Sequence, residues 1–187
     1  MLNLFKSPSY SGKNVYRYIE QVITKGRRVL IVSPYIDRYY ANFILSNSKG
    51  RKFYILSSSM EDSAKRLLTK GRFPKDAAYL STLLVVAEAF LYLSRAYLPF
   101  LYLLPVAALS IAAMILLAIR KPMNINLRFP KEFVHAKLYV SESMAVHGSA
   151  NLTYKGMHKN IEHVEVAYDE GEIKRLENQF WQLWNYS

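Results

Sequence analysis

Residues 133–153 read FVHAKLYVSESMAVHGSANLT, and this stretch decides how the rest of the chain is read. Over Phe133–Val140 a period of two predicts a strand with His135, Lys137 and Tyr139 on one face and Val134, Ala136, Leu138 and Val140 on the other. A short turn leads to a second strand over Met144–Ser149, which ends in the glycine-preceded pair Ser149 and Asn151. A third strand over Ile161–Tyr168 brings in Glu162. These polar groups can converge at strand ends, and as a set they are chemically coherent. An imidazole can attack phosphorus or carry a proton, lysine and asparagine can hold phosphoryl oxygens, and a carboxylate can fix an imidazole tautomer.

Working outward, the flanking text alternates between helix and strand. Val15, Ile19, Val22 and Ile23 recur at helical spacing, Lys25-Gly26 ends that helix, and Arg28–Ile36 reads as a buried strand. A helix over Tyr40–Leu45, a strand over Phe53–Ser57, a helix over Glu61–Thr69 and a strand over Ile125–Phe129 continue a βαβ rhythm. The chain closes on a helix with Ile173, Leu176, Phe180, Leu183 and Trp184 along one face. The expectation is an α/β fold, with helices packed on a mixed sheet.

Between Ala77 and Ile119 the text changes. Only Glu88 and Arg95 are charged in this 43-residue run, which as helix would extend about 65 Å, twice the ~30 Å of bilayer hydrocarbon. The reading is a transmembrane hairpin over 77–119 that turns near Arg95–Pro99 and is inserted between a first catalytic part (1–76) and a second (120–187). A buried helical pair is the competing interpretation, but apolar character on every face favours the span. Basic flanks on both sides predict that both ends, and the catalytic domain, face the cytoplasm. Glu88 receives no role.

The chain has 187 residues and a formal net charge of +11, so an acidic disordered tail and a multidomain machine are both excluded. Cysteine is absent, which removes disulfide scaffolds, thiolate zinc sites and cysteine nucleophiles. The basic excess suits polyanions, whether nucleic acid or an anionic lipid surface. His147, His158 and His163 lack companions of the His135 kind and are read as structural or solvent-facing. Lys155, His158 and Lys159 are read as a solvated loop, and Tyr35 and Tyr139 as weak candidates for lining the cleft.

The segment HAKLYVSESMAVHGSANLT resembles the HxKxxxxD…GSxN signature of the phospholipase D superfamily. SPYID (33–37) and the closing helix occupy comparable places, and the resemblance covers about residues 11–75 and 122–187. It implies a phospholipase D-like sandwich interrupted by the hairpin. One motif copy resembles the single-motif branch, which includes bacterial endonucleases and mitochondrial phosphodiesterases and in which two subunits complete one site. The resemblance assigns His135 as nucleophile and its symmetry mate as general acid. Lys137 and Asn151 become the phosphate clamp, Ser149 orients the site, and Glu162 holds the imidazole Nδ1–H. Glu142 stands where the motif carries a structural aspartate. The scheme uses no cofactor and no metal. The implied partners are a second copy of the chain, a lipid bilayer, and a substrate that is nucleic acid or, alternatively, an anionic phospholipid of the cardiolipin or phosphatidylglycerol type.

Overall fold

The structure is a computed structural model that describes residues 7–70 and 124–187, together with 79, 82–83, 86–87, 89–90, 105, 108–109, 111–112 and 115. The chain divides into two units, Met1–Thr69 with Pro122–Ser187, and Lys70–Lys121.

The first unit is built on a seven-stranded mixed sheet. Its strands are β1 (Ser9–Gly12), β2 (Arg28–Val32), β4 (Lys52–Leu56), β6 (Ile125–Arg128), β7 (Leu138–Val140), β8 (Ala145–Gly148) and β9 (Glu162–Ala167), in the order β1-β9-β8-β7-β2-β4-β6. β2, β4 and β6 run parallel, and every other pairing is antiparallel. The two-residue strands β3 (Tyr35–Ile36) and β5 (Ser59–Met60) pair in a small parallel sheet of their own.

The period of two along the strands divides the core. Val29, Ile31, Phe53, Ile55, Tyr139, Val146, Val164 and Val166 pack with Ile19, Val22 and Ile23 of α1 (Tyr16–Lys25), Tyr40, Ala41 and Ile44 of α2 (Arg38–Asn47), and Ala64 and Leu68 of α3 (Asp62–Lys70). Leu30, Val32, Leu56, Leu138, Val140 and Ala167 pack with Ile173, Leu176 and Phe180 of α5 (Glu170–Asn185). Central parallel strands covered on both faces read as continuous apolar runs, which is why RVLIV carries no alternation. Side chains set the helix starts. Asp37 accepts from Tyr40 N–H, Thr153 from Gly156 N–H at the start of α4 (Tyr154–His158), and Asp169 from Glu172 N–H, each satisfying an otherwise orphaned donor.

The expected membrane hairpin is corrected here. No helix among the described residues is long and apolar enough to cross a membrane, so the two-span, cytoplasm-facing placement does not hold. A span needs about 20 consecutive helical residues, whereas apolar composition alone reports only an avoidance of water. Most of 77–119, with Glu88 and Arg95, lies outside the described residues. Within the second unit, Leu83, Val86, Phe90, Leu109 and Ile115 are helical and exposed.

Candidate active site

The strand expected over Phe133–Val140 begins only at Leu138. Leu138 pairs with Val32, the last residue of β2, after which Ser33 and Pro34 lead the neighbouring chain out of the sheet. Proline has no N–H to continue a ladder. Residues 133–137 therefore lie beyond the strand ladder, held through Val134, whose N–H and carbonyl oxygen both bond Ser58 Oγ (2.8 and 3.0 Å), and His135 and Lys137 stand where the strands stop. The end of β8 and the start of β9 lie at that same edge, because Gly148 pairs with Val164 and donates its N–H to Lys137 O (3.3 Å).

His135 is exposed, whereas Lys137 is only 7% exposed. The Lys137 ammonium donates to the His135 carbonyl oxygen (2.8 Å), and its Nζ lies 3.0 Å from His135 Nε2. Lysine can only donate, so this contact favours a lone pair on Nε2 and the proton on Nδ1, the tautomer an attacking imidazole needs. Burial pushes the Lys137 pKa below the ordinary lysine value, while the nearby Glu162 charge pulls it the other way.

Glu162, 8% exposed at the start of β9, accepts a short hydrogen bond from Ser149 Oγ at one carboxylate oxygen and one from Asn160 Nδ2 (3.0 Å) at the other. Ser149 Oγ also accepts from His163 N–H (3.0 Å), and Ser149 N–H donates to His163 O (2.9 Å). Lys137, Ser149 and Glu162 are thus brought together at the sheet edge, with His135 beside Lys137. Glu162 engages Ser149 and Asn160 in place of the expected His135 Nδ1–H.

Asn151 Oδ1 is the one buried side-chain oxygen or nitrogen among the described residues without a hydrogen-bond partner. A buried amide oxygen of this kind carries a desolvation cost that a donor would relieve. The backbone on either side of Asn151 is fixed: Tyr139 Oη donates to Ala150 O (2.8 Å), and Leu152 N–H donates to Ser33 Oγ (2.9 Å). Tyr139 is accordingly a core residue and does not line a cleft; burial pushes its phenol well above the ordinary tyrosine range.

Glu142 accepts from the N–H groups of Arg27 (3.1 Å) and Arg28 (2.5 Å), across the sheet end remote from His135. It pins the entry to β2, as a structural carboxylate would. His158 packs among Tyr16, Tyr39, Tyr40 and Tyr154, and His163 bonds Ser11 Oγ (2.8 Å). Sequence reasoning passed over Ser33, Asp37 and Asn160. Asp37 carried a detectable signal, an N-cap residue before a helix, and its second oxygen accepts from Tyr154 N–H (2.5 Å). Among the described residues no group of three or more His, Asp and Glu is placed to hold a metal.

Residues 5–184 match the family described as cardiolipin synthase, PLD-like domain, which is nearly the whole chain. The chain belongs to this PLD-like family. Its fold is similar to NucT from Helicobacter pylori (13% identity, TM-score 0.57, covering 97% of this chain and 96% of that one). It is equally similar to a phospholipase D family member, Nuc from Salmonella typhimurium (12% identity, TM-score 0.57, 97% and 96%). The phosphatidylserine synthase of Haemophilus influenzae Rd KW20 shares 13% identity at a TM-score of 0.50, over 94% of this PLD-like chain but 38% of its own. No curated protein matches the chain. The large mixed sheet with helices on both faces is the PLD-like fold, reached here at low sequence identity.

Proposed function

We propose that this PLD-like chain is a phosphodiesterase that cleaves nucleic acid through a phosphohistidine intermediate in a homodimeric site. The observation carrying this reading is the His135–Lys137 pair, with Nε2 and Nζ 3.0 Å apart beyond the end of the sheet. His135 Nε2 attacks phosphorus and the bond to the leaving oxygen breaks, with the partner subunit's His135 giving that oxygen its proton. The same imidazole of the partner then takes a proton from water, whose oxygen displaces His135 and regenerates the site. One chain offers a single imidazole at this place while the double displacement uses two, and a two-fold axis supplies the second. Lys137 and Asn151 hold the non-bridging oxygens as negative charge develops on them. Ser149 and Glu162 fix the strand end that carries the clamp. Because the lysines supply positive charge, turnover is expected without a divalent ion or cofactor.

The net charge of +11 and the near-complete mutual coverage with NucT and Nuc support the nucleic-acid reading. The family description, which names a cardiolipin synthase, favours a second reading: hydrolysis of, or phosphatidyl transfer from, anionic phospholipids. The deciding experiment incubates the purified full chain, in chelator, with DNA, RNA and phosphatidylglycerol or cardiolipin vesicles. Peptide mass mapping of samples quenched in alkaline denaturant, which spares the acid-labile P–N bond, should find one adduct at His135, the phosphoryl group with the part of the substrate it retains. Cleavage of lipid only establishes the second reading, and an absolute requirement for a divalent ion refutes the chemistry.

A further inference from the structure

Beside His135 the exposed side chains form a run of rings. Phe133 stacks on the His135 imidazole (centroids 6.2 Å apart, planes at 29°), and Tyr35 meets Phe133 at 5.9 Å. Phe133 is 57% exposed and Tyr35 45%, so neither is held by the core. Phe133 also stands on the segment before β7 that belongs to no strand, where no sheet neighbour calls for an aromatic residue. Asp37, two residues beyond Tyr35, joins this group to a second exposed pair by capping Tyr40 N–H and accepting from Tyr154 N–H. In that pair Tyr39 and Tyr154 lie edge to face at 5.2 Å, with the Lys159 ammonium 5.9 Å from the Tyr154 ring.

We propose that Phe133 and Tyr35 form a stacking platform for an unpaired nucleobase next to the scissile phosphate, which makes single-stranded nucleic acid the preferred substrate. The inference rests on the phosphodiesterase reading of His135 and adds the recognition of the base. Rings in series present π-faces at successive positions, which is what a chain of unstacked bases requires, and a duplex cannot offer them because its base faces are already stacked. Phosphates drawn in by the basic chain reach His135 whatever bases they carry, and the platform then rewards those with a free base face. An acyl chain would have no use for the near-parallel alignment of Phe133 with the imidazole.

The test compares kcat/KM of the full chain on a single-stranded oligothymidylate and on an equally charged oligomer of tetrahydrofuran abasic units, with phosphatidylglycerol vesicles as a third substrate. The wild-type chain should prefer the thymidylate by about 5- to 150-fold, the range of one stacked base. Phe133→Leu, which keeps apolar bulk but loses the ring, should collapse that ratio to within about twofold of unity, whereas Phe133→Trp should retain it. Equal cleavage of the two oligomers by the wild type overturns the platform and leaves the phosphodiesterase reading standing, as does a full ratio in Phe133→Leu. Hydrolysis of the vesicles alone overturns the platform and the nucleic-acid reading together, and leaves the phospholipid reading of the same site.

Discussion

Gly148→Ala is the most telling single substitution in the candidate site. A Cβ at this position would overlap the His163 carbonyl oxygen and lie 2.8 Å from Val164 Cα and 3.0 Å from His163 C. All three are backbone atoms of β9, so no rotamer change can relieve the overlap, and the strand itself must move away from β8. Overpacking of a well-packed core typically costs 1–3 kcal/mol where side chains can adjust, and here the adjustment must come from the ladder, so about 3 kcal/mol or more is expected. That is a large share of the roughly 5–15 kcal/mol that holds a domain together. The same displacement draws Glu162 and His163 away from Ser149, so the hydroxyl that joins the two strands loses its partners. Urea unfolding followed by circular dichroism should show a lower midpoint at unchanged slope, and the folded fraction should have lost turnover. A stability change below about 0.5 kcal/mol, the scatter of ordinary surface substitutions, would refute the close approach of β8 and β9 on which this reasoning depends.

His135→Asn should lower turnover by ~10³-fold or more without altering the oligomeric mass, and mixing His135→Ala with Lys137→Ala chains should not restore a full site; restored activity in the mixture would exclude a site that needs both residues from both chains. Lys137 releases its proton at a lower pH in the folded chain than in the unfolded one, so in the window between its depressed pKa and the ordinary lysine value the unfolded state holds more protons. Stability should therefore rise with pH across that window while phosphate affinity falls. Urea midpoints and phosphate competition measured at increasing pH up to the ordinary lysine value should show this trend, and Lys137→Met should remove its share of it. Glu142→Ala deletes the acceptor of two backbone N–H groups at an exposed edge and should cost about 1 kcal/mol by urea unfolding, with turnover per folded molecule kept within about twofold; selective loss of turnover would place Glu142 in the chemistry instead of the frame.

What the text disclosed followed the strength of its local signals. RVLIV, KFYIL and the α5 stripe announce themselves through burial and period, and the chemistry-bearing residues through their unusual company. β1 (SYSG) has no apolar pattern, because it is an exposed edge strand held by its ladder to β9, about 150 residues away. The strand expected at Phe133 fails for a non-local reason: alternation continues through His135, but the partner strand has ended at Val32. The same cause frees the imidazole and the lysine from the sheet. Glu162 was legible as a site residue and its partner Asn160 was not, since no spacing rule ties an amide two residues upstream to a carboxylate. Apolar richness over 77–119 does not translate into a spanning helix among the described residues, because composition alone does not set helix length.

The unit Lys70–Lys121 is inserted in the crossover from β4 to β6, two parallel neighbours at one margin of the sheet. Of the 68 residues between Leu56 and Ile125, 52 belong to the insertion, leaving a 16-residue connection without it. Closing the longer connection as a flexible loop costs about 1.3 kcal/mol more than closing the shorter one, since the entropy of closure grows only with the logarithm of length. A segment more than a quarter of the chain in length is therefore a minor thermodynamic burden at this location, and β7, β8 and β9, whose ends frame the candidate site, all follow the point where it rejoins. The PLD-like frame could acquire, exchange or shed such a segment in evolution without renegotiating its own register.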